Sequence, residues 1–249
     1  LQGRKETLRS LRQLPVPDPG VRRTGDARSV RIAEIFHSIQ GEGMYIGVPQ
    51  VFVRFAGCDV KCAYCDTVTD AWEEMTPDEV LYRIRNIDHR FHSVALTGGE
   101  PLAQSDALAI IAGALKDEGR LVFLETNGTM PEAFDAVSAL IDIVSMDIKL
   151  PSVARVKPFW DEHRRFLKAA KDHDVFGKAV VSSQMEEADL IQAAQLVAGV
   201  DRAIPLYLQP LYGDAGMTLE TIRWMYDTCT QYLNDVRCVA QMHKYMAIP

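Results

Sequence analysis

From Val30 onward, short runs rich in β-branched and aromatic residues alternate with longer runs of helical period, and no other feature limits the fold as strongly. RIAEIF, VFVRFA, SVALTG, LVFLET, DIVSMDIK, FGKAVVSS, AIPLYLQP and VRCVAQM read as strands. Between them TPDEVLYRIRNI, QSDALAIIAGALKDEG, PEAFDAVSALI, KPFWDEHRRFLKAAKDH, EEADLIQAAQLVAG and TLETIRWMYDTCTQYL read as helices. Several of these open on Thr, Ser or Asp ahead of an acidic first turn, as capped helices do. Repeated βα units put parallel strands under a cover of helices, so the expected fold is α/β, an open, partial TIM-like barrel. In that architecture chemistry collects at the C-terminal ends of the strands.

A chain of 249 residues has room for one such domain, expected over 30–249. The stretch 1–29 is rich in Arg and Pro, lacks a lasting apolar period and is expected to be a flexible tail. No apolar run approaches the ~20 residues that cross a bilayer, so a soluble protein with no membrane partner is expected. A net charge of −7 argues against sequence-independent binding to nucleic acid. Five cysteines, an odd number with three in one tight group, and no signal-like N-terminal segment point to a reducing, cytoplasmic setting.

The three grouped cysteines, Cys58, Cys62 and Cys65, form a Cys-x3-Cys-x2-Cys loop directly after VFVRFA. A closed structural zinc site needs four protein ligands, and no second Cys-x2-Cys or His pair supplies the fourth. Three thiolates suit a 4Fe-4S cubane in which one iron is left for a substrate or cofactor. Asp59, Lys61 and Asp66 among them are poor core residues, which speaks against buried, inert thiols. Cys229 and Cys238 lie in helix and strand patterns and are expected to be buried thiols.

Other polar residues fall at strand ends. LTGGEP closes a strand with glycines that allow close backbone approach, and Glu100 there can accept from an ammonium group. Upstream, Gln40 and Glu42 in a Gly-rich loop can pair with the polar edge of a heterocycle. Arg54 offers a bidentate fork to a carboxylate.

The cysteine spacing, with Tyr64 before the last cysteine and Gly-Gly-Glu at the next strand end, resembles the signature of the radical S-adenosylmethionine (SAM) superfamily. With SIQGEG, CDT, LETNGT, MDIKLPS, LQPLYG and the closing QMHKYMAIP, the stretch from Arg31 to Pro249 resembles the 7-carboxy-7-deazaguanine synthases of queuosine and deazapurine biosynthesis. The resemblance implies that SAM binds the open iron and yields a 5′-deoxyadenosyl radical, SAM being regenerated. The implied reaction turns 6-carboxy-5,6,7,8-tetrahydropterin into 7-carboxy-7-deazaguanine with ring contraction and loss of ammonia, a carbon–nitrogen lyase reaction. It also implies Mg2+ at Thr67, an electron donor of the flavodoxin or ferredoxin kind, and a homodimer.

Carried over by motif, Ile39, Gln40, Gly41, Glu42, Arg54, Thr97, Glu125 and the free carboxylate of Pro249 would hold the pterin. Tyr64, Cys65, Asp66, Gly99, Glu100, Asp147, Ile148, Lys149, Gln209, Pro210, Leu211 and Tyr212 would line the SAM site. His243 and Lys244 are expected to support the C-terminal end rather than to move protons. Two alternatives stand beside this reading. A glycyl-radical-enzyme activating enzyme shares the cysteines and Gly-Gly-Glu but needs a groove for a polypeptide. A non-catalytic iron–sulfur electron carrier would release no 5′-deoxyadenosine.

Overall fold

The computed structural model describes residues 29–66 and 71–248. Most of the stretch expected as a tail, together with Thr67 and Pro249, lies outside them. The strands are β1 (Val30–Ile39), β2 (Pro49–Phe55), β3 (Glu73–Met75), β4 (Ser93–Gly98), β5 (Leu121–Thr126), β6 (Ile143–Asp147), β7 (Asp174–Val181), β8 (Leu206–Pro210) and β9 (Val236–Cys238). They form one nine-stranded sheet among the described residues, in the order β3-β1-β2-β4-β5-β6-β7-β8-β9. β1 runs antiparallel to β2 and β3, and every pairing from β2 to β9 is parallel. β3 and β9 are the two edges, so the sheet curls without closing and the partial barrel is as expected.

The helices are α1 (Pro77–Arg85), α2 (Ser105–Asp117), α3 (Pro131–Val137), α4 (Pro151–Ala154), α5 (Trp160–Ala170), α6 (Glu187–Ala198), α7 (Leu219–Thr230) and α8 (Met242–Met246). α1 shows how the sequence sets a start. The Thr76 hydroxyl accepts from Glu79 N, the Glu79 carboxylate accepts from Thr76 N, and Pro77 occupies the first turn. Such a capping box satisfies two otherwise orphaned amides, and losing the cap costs about 1 kcal/mol.

Several boundaries shift by a few residues, and two elements end differently from the sequence reading. PEAFDAVSALI leaves the α-helix at Val137 and finishes as a 3-10 turn over Ser138–Leu140. VRCVAQM is strand only over Val236–Cys238, and the chain then turns into α8. β3 and α4, of three and four residues, are too short to show a period. Cys229 is buried as expected, while Cys238, on the edge strand, is only part-buried.

The two faces of the sheet carry different layers because side chains alternate along each strand. Val51, Val53, Val94, Leu96, Val122, Leu124 and Val144 face outward onto Leu108, Ile111, Phe166 and Leu190 of the helices. Phe36, Phe52, Ala95, Phe123, Ile143, Phe176 and Tyr207 face inward and close one end of the barrel. Phe123 and Phe176 meet edge-on at 6.2 Å, and Tyr45 sits across both. Burying each such ring contributes about 1.5–3 kcal/mol, and together they make a solid base. Two residues further along each strand, the same face carries Arg54, Thr97, Glu125, Ser145, Lys178 and Gln209. The inward layer turns polar at the C-terminal half of the strands, and the cavity opens there.

Candidate active site

A cavity of about 360 Å³ lies above the aromatic base. Its walls include Gln40, Glu42, Arg54, Thr97 and Glu125 on one side and Cys58, Cys62, Cys65, Asp147 and Lys149 on another.

One wall is a chain of buried amides. Gln40 is 3 % exposed and its Nε2 donates to Gln50 Oε1 at 3.0 Å and to Glu125 Oε1 at 2.8 Å. Gln50, fully buried, in turn donates to Ser93 Oγ at 2.8 Å. Gln40 Oε1 accepts from Glu42 N, and Thr97 Oγ1 donates to Glu125 Oε2 at 2.7 Å. Turning the Gln40 amide over would set its oxygen against a carboxylate, so its orientation is fixed. Both its hydrogens are taken, and it can offer a ligand only an acceptor.

Glu42 accepts from Lys178 Nζ and from Gln241 Nε2, each at 2.7 Å. Burial alone would raise the Glu42 carboxyl, but the Lys178 ammonium and these hydrogen bonds pull it well below the usual carboxylate range. Lys178 is 2 % exposed and also lies 3.9 Å from Asp147 Oδ2. Burial disfavours its charge, yet Asp147, Glu42 and Glu125 outweigh that and hold it protonated. Arg54 reaches the cavity with its guanidinium over the Phe36 ring and its Nε 3.6 Å from Glu34.

The cysteine loop leaves β2 and is fixed by its neighbours. Glu100 N donates to Gly57 O and Gly99 N to Phe55 O, both at 2.9 Å, while Ala63 N donates to Ala154 O. Asp59 accepts from Asn127 Nδ2 at 2.8 Å and from Thr129 Oγ1 at 2.6 Å. Lost hydration along the cavity wall pushes the Cys58 thiol up to about 11 and raises Cys62 as well. Metal would have to displace their protons. Among the described residues no three His, Cys, Asp or Glu side chains converge as a single ion requires. A cubane spreads its ligands over several irons, so a loop of three thiols on the cavity wall fits that larger group. Lys149 lies 3.4 Å from Asp147 and over the Tyr64 ring, which places a charged pair beside Cys62.

The C-terminal segment covers part of the opening. Met242 N donates to Gly41 O, and Gly41 packs so closely on His243 that a Cβ there would fall 2.4 Å from the imidazole Nδ1. Lys244 ion-pairs with Asp66 at 2.6 Å, which ties the segment to the cysteine loop. His243, Lys244 and Ile248 all line the cavity.

Of the residues singled out by sequence, Glu100, Ile148, Gln209, Pro210 and Tyr212 do not line this cavity. Glu100 is fully buried, and its carboxylate accepts from Leu102 N, Thr126 Oγ1 and Asn127 N, so it acts as an internal brace in this structure. Burial raises its carboxyl to about 7 against those hydrogen bonds. Ile148 belongs to the outer core, and Tyr212 is half exposed against Tyr245. Gln209 is buried, and neither polar atom of its amide has a partner among the described residues. Thr67 and Pro249 are outside the described residues. The structure adds Asn127, Lys178 and Gln241, to which sequence reading gave no role. Asn127 directly follows β5, two positions after Glu125, and Lys178 interrupts the apolar run FGKAVV. Each of these was a usable signal.

Residues 52–185 match the Radical SAM superfamily. A 7-carboxy-7-deazaguanine synthase from Geobacter sulfurreducens is 36% identical over 241 residues, covering 86% of this chain and 96% of that protein. One from Methanopyrus kandleri is 33% identical, covering 86% of this chain and 92% of that protein. The crystal structure of QueE from Escherichia coli superposes with a TM-score of 0.61 at 23% identity, over 86% of this chain and 95% of that one. A structure of TYW1 with a bound lysine–pyruvate adduct gives a TM-score of 0.52 at 14% identity, over 74% of each chain. At those identities the two structures bear on the fold alone.

Proposed function

Because the chain belongs to the Radical SAM superfamily and, within it, to the family of 7-carboxy-7-deazaguanine synthases, we propose that it rearranges 6-carboxy-5,6,7,8-tetrahydropterin to 7-carboxy-7-deazaguanine. Ring contraction with release of ammonia makes the reaction that of a carbon–nitrogen lyase. A bound 4Fe-4S cluster and SAM supply the hydrogen-abstracting radical.

The observation that carries the substrate reading is the acceptor-only wall made by Gln40, Glu42 and Glu125. The amino-pyrimidinone edge of a pterin presents an exocyclic amine and a ring N–H, all donors, and the wall answers them with oxygens. Arg54 lies on the same polar layer, where its planar fork suits the carboxylate of the substrate. Phe36 and Phe52 below supply an apolar surface for a flat ring.

Cys58, Cys62 and Cys65 hold the cluster in this reading. Gly99, Asp147, Lys149, Leu211 and the Tyr64–Asp66 turn hold SAM, with the unpartnered amide of Gln209 nearby at the end of β8. Thr67 would contribute to Mg2+, the Pro249 carboxylate would reach the pterin, a flavodoxin- or ferredoxin-like protein would deliver electrons, and two copies would form a homodimer. No helix among the described residues is long and apolar enough to cross a membrane.

Anaerobic reconstitution with iron and sulfide, followed by mass spectrometry of carboxypterin incubations with SAM, tests the reading. A product lighter by one ammonia is expected, with greater yield when Mg2+ is added. Formation of 5′-deoxyadenosine without that product would remove the substrate assignment. An Arg54→Ala protein that turns over the carboxypterin with unchanged KM would remove the role of Arg54.

A further inference from the structure

Asn127 follows β5 and is 5 % exposed on the cavity wall. Its amide orientation follows from its partners. Oδ1 accepts from Thr129 N at 3.0 Å, and Nδ2 donates to Asp59 Oδ1 at 2.8 Å. Reversing the amide would press its oxygen against the Asp59 carboxylate and its NH2 against a backbone donor. The second Nδ2 hydrogen is thereby directed at Cys58, whose sulfur lies 3.8 Å away. Val60 N approaches the same sulfur at 3.5 Å. The backbone of Asn127 is held equally firmly: its N–H donates to Glu100 Oε2 at 2.8 Å, and its carbonyl lies 3.0 Å from Nε2 of the fully buried His163.

We propose that Asn127 tunes the cluster held by Cys58, its side-chain N–H raising the reduction potential by bonding to that thiolate sulfur. The inference rests on the reading that Cys58 is a cluster ligand. In the couple concerned the oxidised cluster gains one electron from an external one-electron reductant, and no covalent bond in the protein forms or breaks. The added charge spreads onto the sulfurs, so an N–H donor aimed at one of them stabilises the reduced state more than the oxidised state. Because Thr129, Asp59, Glu100 and His163 fix Asn127, the donor does not reorganise when the charge arrives.

The test is a redox titration of the reconstituted full chain with titanium(III) citrate, followed by electron paramagnetic resonance. Asn127→Ala is expected to keep its iron and sulfide and to titrate at a more negative potential than the parent. Thr129→Val removes a hydroxyl that braces Asp59 and Asn127 without touching the sulfur, and its potential is expected to stay at the parent value. The proposal is overturned by an Asn127→Ala potential equal to the parent's, or by a Thr129→Val shift as large as that of Asn127→Ala, which would assign the effect to a loosened loop. Should Asn127→Ala fail to take up the cluster, the parent chain labelled with side-chain 15N-asparagine decides. The other asparagines, Asn86 and Asn234, do not line the cavity. A 15N hyperfine coupling to the reduced cluster is expected, and its absence overturns the proposal. A parent chain that binds no iron and sulfide would overturn the cluster reading itself, an outcome distinct from all of these.

Discussion

Lys178 Nζ donates to Glu42 Oε2 at 2.7 Å from a side chain that is 2 % exposed, so the cavity contains a lysine that water scarcely reaches. Lys178→Met would leave Glu42 charged and part-buried, with Gln241 as its one remaining side-chain hydrogen-bond donor among the described residues. Removing one partner of such a pair costs about 3–5 kcal/mol, mostly through the uncompensated charge left behind. Urea unfolding of Lys178→Met should show a loss of that size, and adding Glu42→Gln should recover part of it. If the double variant loses the sum of the two single losses, the pair is not coupled and this account fails.

His163 gives the pH dependence its sign. Burial pushes its imidazole down to about 4 against the ordinary 6.5, only partly offset by the bond to the Asn127 carbonyl. As pH falls through 6.5 the unfolded chain takes up a proton that the folded chain refuses until about 4. Stability present above pH 6.5 is therefore lost on the way down, by up to about 3 kcal/mol. His163→Gln keeps an N–H for Asn127 but does not titrate. Its stability measured against pH should fall less steeply across this window than the parent's, and parallel curves would refute the assignment.

Gln50 stands behind the substrate wall and touches no ligand in the proposed arrangement. Gln50→Met keeps the volume but leaves one Gln40 N–H unpaired, at a cost of about 1–3 kcal/mol. Gln40, still held by Glu125 and Glu42 N, is then less sharply fixed in its acceptor-only pose. The KM for the carboxypterin should rise about tenfold, the equivalent of about 1.4 kcal/mol, while SAM affinity holds. A KM equal to the parent's would show that Glu125 and Glu42 N orient Gln40 without help from Gln50.

Much of this site was legible because its chemistry sits in local motifs. QGEG, the Arg54 strand and three cysteines within eight residues follow one another along the chain, and the period of the strands shows where their C-terminal ends fall. What stayed hidden depends on which way a side chain faces after the backbone bends. Gly98, at φ 120°, breaks the alternation of β4, and Glu100 turns away from the cavity into a buried set of donors. Lys178 is read as one polar interruption in an apolar strand until Glu42, 136 residues earlier, is folded against it. Gln241 faces the same difficulty across 199 residues, and α8, five residues long, has no period to announce it.

Gly99 ties β4 to the start of the cysteine loop. A Cβ added there would lie 1.9 Å from Gly57 O and 2.4 Å from Gly57 C, and both are backbone atoms that no rotamer change can move aside. The hydrogen bonds of Gly99 and Glu100 to Phe55 and Gly57 hold the two strands at this spacing, so Gly99→Ala must displace Gly57 and, with it, Cys58. The clash lies at the rim, and the packed layers below do not depend on it. Gly99→Ala should fold, with unchanged far-ultraviolet circular dichroism, but bind less iron and sulfide per chain on reconstitution. Gly113→Ala is the matched control, because nothing lies within 4 Å of a Cβ there and the residue sits inside α2. It should bind a full complement of iron and gain about 0.5–1 kcal/mol in stability. Equal iron content in the two variants would show that the contact between Gly99 and Gly57 does not position Cys58.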